Sequence, residues 1–153
     1  METRCITKFC EGGEPVCAIY RHWDGDPKIA MADLVRFLVE LEIKVPLGPM
    51  TRPALDEPRL LAARYIVYLA ELFAEEWEEL PMNFTGVEFV EADQKCFYEY
   101  HVHCDRTGYL SRNIPDIRAY EQGVPMFENI GKYRAQAFNE LDLTDCETRL
   151  TAM

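Results

Sequence analysis

The paired glycines Gly12-Gly13, set between two runs rich in β-branched and aromatic residues, constrain this chain more than any other feature. Residues 3–10 (TRCITKFC) and 16–23 (VCAIYRHW) flank the turn cluster Glu11-Gly12-Gly13-Glu14-Pro15. Glycine reaches the backbone conformations that tight turns demand, so this spacing predicts an N-terminal β-hairpin. The pattern leaves the buried face open, because Ile6 and Phe9 differ in parity.

Two helix starts follow. Asp26-Pro27 and Glu57-Pro58 each place a proline where a first helical turn tolerates it. Leu34, Phe37, Leu38 and Leu41 recur at i, i+3, i+4 and i+7, which predicts an amphipathic helix to about Ile43. Pro46, Gly48, Pro49 and Pro53 mark an irregular loop. The second helix is apolar nearly all round over residues 60–73, as a central buried helix would be, and Pro81 is expected to close it. Residues 84–91, 95–104 and 116–121 read as strands, with a turn at Asp105-Arg106-Thr107-Gly108. A third helix is expected from about Pro125, and the final dozen residues are expected to fray. The order ββ–α–α–βββ–α implies one α+β domain over residues 1–153, an antiparallel sheet with helices packed on one face.

Charge narrows the partners. The chain of 153 residues carries 16 Lys+Arg against 27 Asp+Glu, a net charge of −11. Nucleic-acid backbone binders and proteins of anionic membranes carry the opposite footprint, so neither partner is expected. The acid is local: residues 71–91 hold seven Glu and no Lys or Arg, whereas residues 1–30 are nearly balanced. The opening METRCITKFC has no apolar run behind a basic start, and the expected location is cytoplasmic. The six cysteines form no CxxC pair, and free thiols are expected in a reducing compartment. Zinc held by Cys5, Cys10, Cys17 and His22 matches no standard spacing, and no cofactor is expected.

Three groups of residues have chemical capability. Tyr20-Arg21-His22-Trp23-Asp24-Gly25 stands where a strand gives way to a capped helix. Arg21 can grip a carboxylate or phosphate, Trp23 can stack a planar group, and His22 can move protons. The same residues serve equally well to anchor the helix, with Asp24 organising the turn. Arg64 interrupts the apolar helix and needs an internal acid, a snorkelling pose or a ligand anion. Glu99, His101 and His103 share one strand face, as metal ligands, acid–base groups or a solvated edge. No phosphate loop, nucleophile elbow or zinc helix motif occurs.

The string TRCITKF, a short turn and then IYRHWDGDP resembles the N-terminal region of a family of small phage and prophage proteins. Leu61-Ala62-Ala63-Arg64 is similar to that family's second-helix stretch, and Tyr98-Glu99-Tyr100-His101-Val102 to one of its strands. Asp26 departs from the pattern, which carries Tyr there and a glycine-rich stretch after the proline. The resemblance implies a phage accessory protein in a bacterial host cell, acting in counter-defence. The expected function is non-enzymatic binding of an anionic or planar small ligand, such as a nucleotide signal, by Arg4, Arg21, His22, Trp23, Asp24 and Arg64. An acidic inhibitor of a host protein, imitating nucleic acid, is the alternative, and a small hydrolase the third. Trp77 and Phe97 make a homo-oligomer the expected state.

Overall fold

The computed structural model describes residues 3–44, 57–107 and 115–126. The predicted hairpin forms from β1 (Cys5–Glu11) and β2 (Glu14–Arg21). Its turn is tighter than the five-residue cluster suggested: Glu11 faces Glu14 across Gly12-Gly13 alone. Both glycines are left-handed, with φ of 61° and 82°. That is the twist a two-residue hairpin turn needs. A Cβ on Gly13 would meet no atom within 4 Å, so the cost of Gly13→Ala is purely conformational. A loss of about 1–2 kcal/mol is expected in chemical denaturation.

Helix α1 (Pro27–Lys44) starts at the Asp26-Pro27 signal, and the Asp26 carbonyl accepts from the amides of Ile29 and Ala30. Helix α2 (Pro58–Trp77) starts at Pro58. It buries Pro58, Leu61, Ala62, Tyr65 and Leu69 but leaves Leu60 and Val67 exposed, so it is one-faced rather than buried all round. It ends four residues before Pro81, on Glu78 in the left-handed conformation (φ 52°). Pro81 instead opens a 3-10 turn, Pro81–Asn83. Strands β3 (Val87–Val90), β4 (Tyr98–Thr107), β5 (Pro115–Glu121) and the short β6 (Val124–Pro125) complete the described elements. Residues 105–107 continue β4 where a turn was expected.

The fold is α+β, but the sheet is mixed rather than antiparallel. Its order is β3-β2-β1-β4-β5-β6, and the central pair β1–β4 runs parallel, with Cys5 opposite Tyr98 and Phe9 opposite Val102. The antiparallel expectation assumed that strands adjacent in sequence are adjacent in space. Here the chain leaves β3 on one side of the hairpin and re-enters as β4 on the other. Such a crossover sets the pair parallel, which no hairpin can do.

The parity conflict between Ile6 and Phe9 resolves because both sheet faces are buried. Cys5, Phe9, Ile19, Tyr100, Val102, Ile117 and Ala119 join residues of α1 and α2 in the core. The Phe9 and Phe37 rings meet Tyr65 at 6.2 and 5.1 Å between centroids. On the other face Ile6, Lys8, Cys10 and Glu99 are also buried. The proline-rich loop beyond α1, the third helix and the frayed end predicted from sequence lie outside the described residues. No helix among the described residues is long and apolar enough to cross a membrane.

Candidate functional site

The β2–α1 junction is held by its backbone. His22 N–H donates to the Gly86 carbonyl (3.0 Å) and Gly25 N–H to the Thr3 carbonyl (2.8 Å). Asp24 is left-handed, with φ of 59°, a conformation that Asp tolerates better than most residues. The Tyr100 hydroxyl donates to the Gly25 carbonyl at 2.7 Å, so the central parallel strand ties down the turn.

This turn forms one wall of a cleft of about 680 Å³. Arg21, Trp23, Asp24, Ile29 and Asp33 supply that wall, and Leu69, Phe73, Glu75, Glu76 and Trp77 of α2 supply the other. Phe84 and Gly86 also line it. The cleft thus unites Arg21, Trp23 and Asp24 with the acidic end of α2. Nothing local joins them, since about fifty residues separate the two.

Arg21 is the cation of the cleft. Its Nε–H donates to the Trp23 carbonyl (2.9 Å), and Nη2 pairs with Asp33 Oδ2 at 3.0 Å. Nη1 is buried and has no hydrogen-bond partner. Burial pushes the Asp33 carboxyl above its ordinary value, against the pull of Arg21. Much of Arg21's capacity is therefore spent inside the protein. Asp24, Glu75 and Glu76 stand exposed around it, and Trp23 and Trp77 are 45% and 64% exposed.

The other expected ligand residues sit elsewhere. His22 points away from the cleft lining, against the Tyr20 ring at 4.9 Å, with Glu88 3.9 Å from Nε2. Arg4 is exposed at the entry to β1 and Arg64 is half-buried on α2. Neither lines the cleft. Cys5 and Cys10 fall on opposite faces of β1, so they cannot share a metal with Cys17 and His22. Among the described residues no three His, Cys, Asp or Glu side chains are grouped for a metal. Burial pushes the Cys5 thiol up to about 12, which makes it an inert core residue.

The polar face of the sheet carries a second constellation. Glu99 Oε1 takes Lys8 Nζ at 3.2 Å and His101 Nε2 at 3.1 Å, and Oε2 accepts from the Cys96 amide at 3.4 Å. Burial alone would raise the Glu99 carboxyl, but the bonds from His101, Lys8 and Cys96 outweigh it and hold the group below its ordinary value. Burial pushes the His101 imidazole below its ordinary 6.5, against the attraction of Glu99. Acid therefore removes stability at both groups. The His101 contribution is full above its unfolded value and is lost as pH falls through 6.5 toward the folded value. The Glu99 contribution is lost at lower pH, below its ordinary 4.5. Thermal denaturation is expected to show a stability plateau in neutral solution and a decline below pH 6.5. In His101→Gln the upper part of that decline flattens while the lower part persists.

Comparison of the chain with family models, with curated proteins and with solved structures finds no match.

Proposed function

We propose that the cleft between the β2–α1 turn and the end of α2 is a binding site for a planar group carrying positive charge. The observation that carries this reading is the composition of its walls: two exposed tryptophans and four carboxylates against a single arginine already paired with Asp33. Aromatic faces attract cations, with about 0.5–2 kcal/mol per contact, and surrounding carboxylates add to the field. The volume falls within the range of small-molecule sites. The group is a guanidinium or an amidinium, free or, as arginine, on the basic surface of a host protein. This reading takes α1 and α2 together on one face of the sheet. It joins the small-ligand expectation to the acidic-inhibitor one and reverses the sign of the ligand. The phage setting and counter-defence role rest on the Thr-Arg and Tyr-Arg-x-Trp-Asp-Gly motifs alone.

A second reading, an anionic planar ligand such as a nucleotide, is favoured by one atom. Arg21 Nη1 faces no partner, and a phosphate or carboxylate able to reach it would complete its bonding.

Benzamidine and adenosine monophosphate separate the two in a thermal-shift titration. Benzamidine is expected to raise the melting temperature, since saturation at 100-fold over Kd adds about 2.7 kcal/mol. Trp77→Ala is expected to weaken it about tenfold, roughly 1.4 kcal/mol. The exposed Trp77 side chain makes a change in basal stability of under about 0.5 kcal/mol the expected side effect. A shift with the nucleotide alone establishes the second reading, and a shift with neither overturns both. A basic host peptide that competes with benzamidine identifies the protein source of the group.

A further inference from the structure

Strand β3 is the outermost strand on one side of the sheet. Among the described residues only β2 pairs with it, so its other edge is open. The bond from His22 N–H to the Gly86 carbonyl sets the phase of the β2–β3 ladder. Bonded and non-bonded pairs alternate in an antiparallel ladder. Glu88 and Val90 therefore turn their backbone groups to β2, and Val87 and Phe89 turn theirs outward. The strand holds no proline and no lysine, two residues that commonly close such an edge.

The side chains at this edge are of two kinds. Val87 and Phe89 stand opposite Arg21 and Ile19, on the core side of the sheet, and Phe89 is 58% exposed. Glu88 stands on the other side, opposite Tyr20, with its side chain exposed and His22 Nε2 3.9 Å away. An added strand would thus meet an apolar shelf on one side and a carboxylate on the other. Exposed Glu91 and Asp93 follow β3, and the cleft adjoins its start, since Phe84 and Gly86 line that space. Residues 71–91 hold seven Glu and no Lys or Arg. A second copy of this chain would bring the same charge to the edge and be repelled, whereas a basic segment is attracted.

We infer that β3 is a strand-addition edge for an extended basic peptide of a protein partner, in which lysine alternates with an apolar residue and an arginine enters the cleft. Main-chain bonds to Val87 and Phe89 supply affinity, and the alternate side chains fix the register. Laid antiparallel to β3, the peptide sets one apolar residue opposite Phe89, the next opposite Val87 and the lysine between them opposite Glu88. The arginine follows two residues on, beside Gly86. Its place in the cleft rests on the cation reading given above, and the strand pairing does not.

The probe is the peptide fluorescein-Lys-Val-Lys-Val-Lys-Arg-amide, followed by fluorescence anisotropy with the wild-type chain. Saturable binding is expected. N-methylation of both valines is expected to weaken it about tenfold or more, since their amides are the ones that face Phe89 and Val87. Replacing the peptide's arginine by glutamine is expected to weaken it about tenfold and to leave the N-methyl effect in place. Phe89→Pro removes an outward amide and no bond to β2, so about a tenfold loss is expected there too, with circular dichroism as the check on folding. No binding of the probe, binding indifferent to N-methylation, or equal binding of a peptide with glutamate in place of lysine overturns the edge, even where benzamidine binds the cleft. Binding that N-methylation weakens, in a chain that benzamidine leaves unshifted, supports the edge and overturns the cation reading of the cleft. A glutamine peptide that binds as tightly overturns the arginine's place alone.

Discussion

Gly25→Ala is expected to cost about 3 kcal/mol, near the top of the range for overpacking a core position. A Cβ there would stand 2.7 Å from the Arg4 carbonyl carbon, 2.7 Å from the Cys5 nitrogen and 2.8 Å from the Cys5 Cβ. The first two are main-chain atoms of the entry to β1 and have nowhere to go. Shifting the turn instead would break the Tyr100 bond to the Gly25 carbonyl and the Gly25 bond to Thr3. The same displacement moves Trp23 and Asp24, so benzamidine binding is expected to fall together with stability. Urea denaturation of the variant, set beside Gly13→Ala, checks the argument. The hairpin turn has open space and loses only conformational freedom, so its loss should be the smaller, about 1–2 kcal/mol.

The second large effect belongs to the polar face. Glu99→Ala strips Lys8 of its counter-charge while Lys8 remains buried, with its side chain only 4% exposed. Removing one partner of a buried pair costs about 3–5 kcal/mol, most of it the penalty of the stranded charge. At roughly 2–4 °C per kcal/mol for a domain of this size, the melting temperature should fall by about 6–20 °C. The double variant Lys8→Met with Glu99→Met tests the cause. With both charges replaced by apolar groups of similar length, most of the loss should be recovered, because the pair's attraction largely cancels its desolvation. A double variant as unstable as Glu99→Ala would show that His101 and the Cys96 amide, not Lys8, depend on this carboxylate.

Local chemistry made much of this legible from sequence. Gly12-Gly13 announced the hairpin, Asp26-Pro27 and Glu57-Pro58 announced both helices, and the alternation in β4 sorted Tyr100 and Val102 from Glu99 and His101. These signals act over a few residues, and so they survive in the chain. What failed was non-local. The parallel pairing of β1 with β4 was not legible: β4 alternates as an antiparallel strand would, and β1, buried on both faces, reads as a central strand whose neighbour's direction is open. The turn before β6 was missed although Gln122-Gly123 carries it, with positive φ at both residues. The apolar reading of α2 erred because Leu60 and Val67 are exposed, a surface cost the periodicity could not foresee.

The candidate site divides the same way. Arg21, Trp23 and Asp24 were found through their junction between strand and helix, and they do line one cleft. His22 was grouped with them by adjacency, yet β2 ends at Arg21 and the bend that follows sets His22 against Tyr20 and near Glu88. Arg64 was singled out by its isolation among apolar neighbours, but its turn of α2 does not border the cleft. Trp77, Glu75 and Glu76 were seen only as an exposed aromatic and as part of a local acidic stretch. Only tertiary folding sets them across from Trp23.

The parallel pair has a consequence in time. Strand β1 has its β2 partner once residue 21 is available, but the partner of its other edge begins only at residue 98. At roughly 5–20 residues per second of synthesis, the nascent hairpin spends about 4–15 s with an open, apolar edge. Contacts this distant in sequence are also the slow ones to form. Its central strands can meet only after nearly two thirds of the chain has been made.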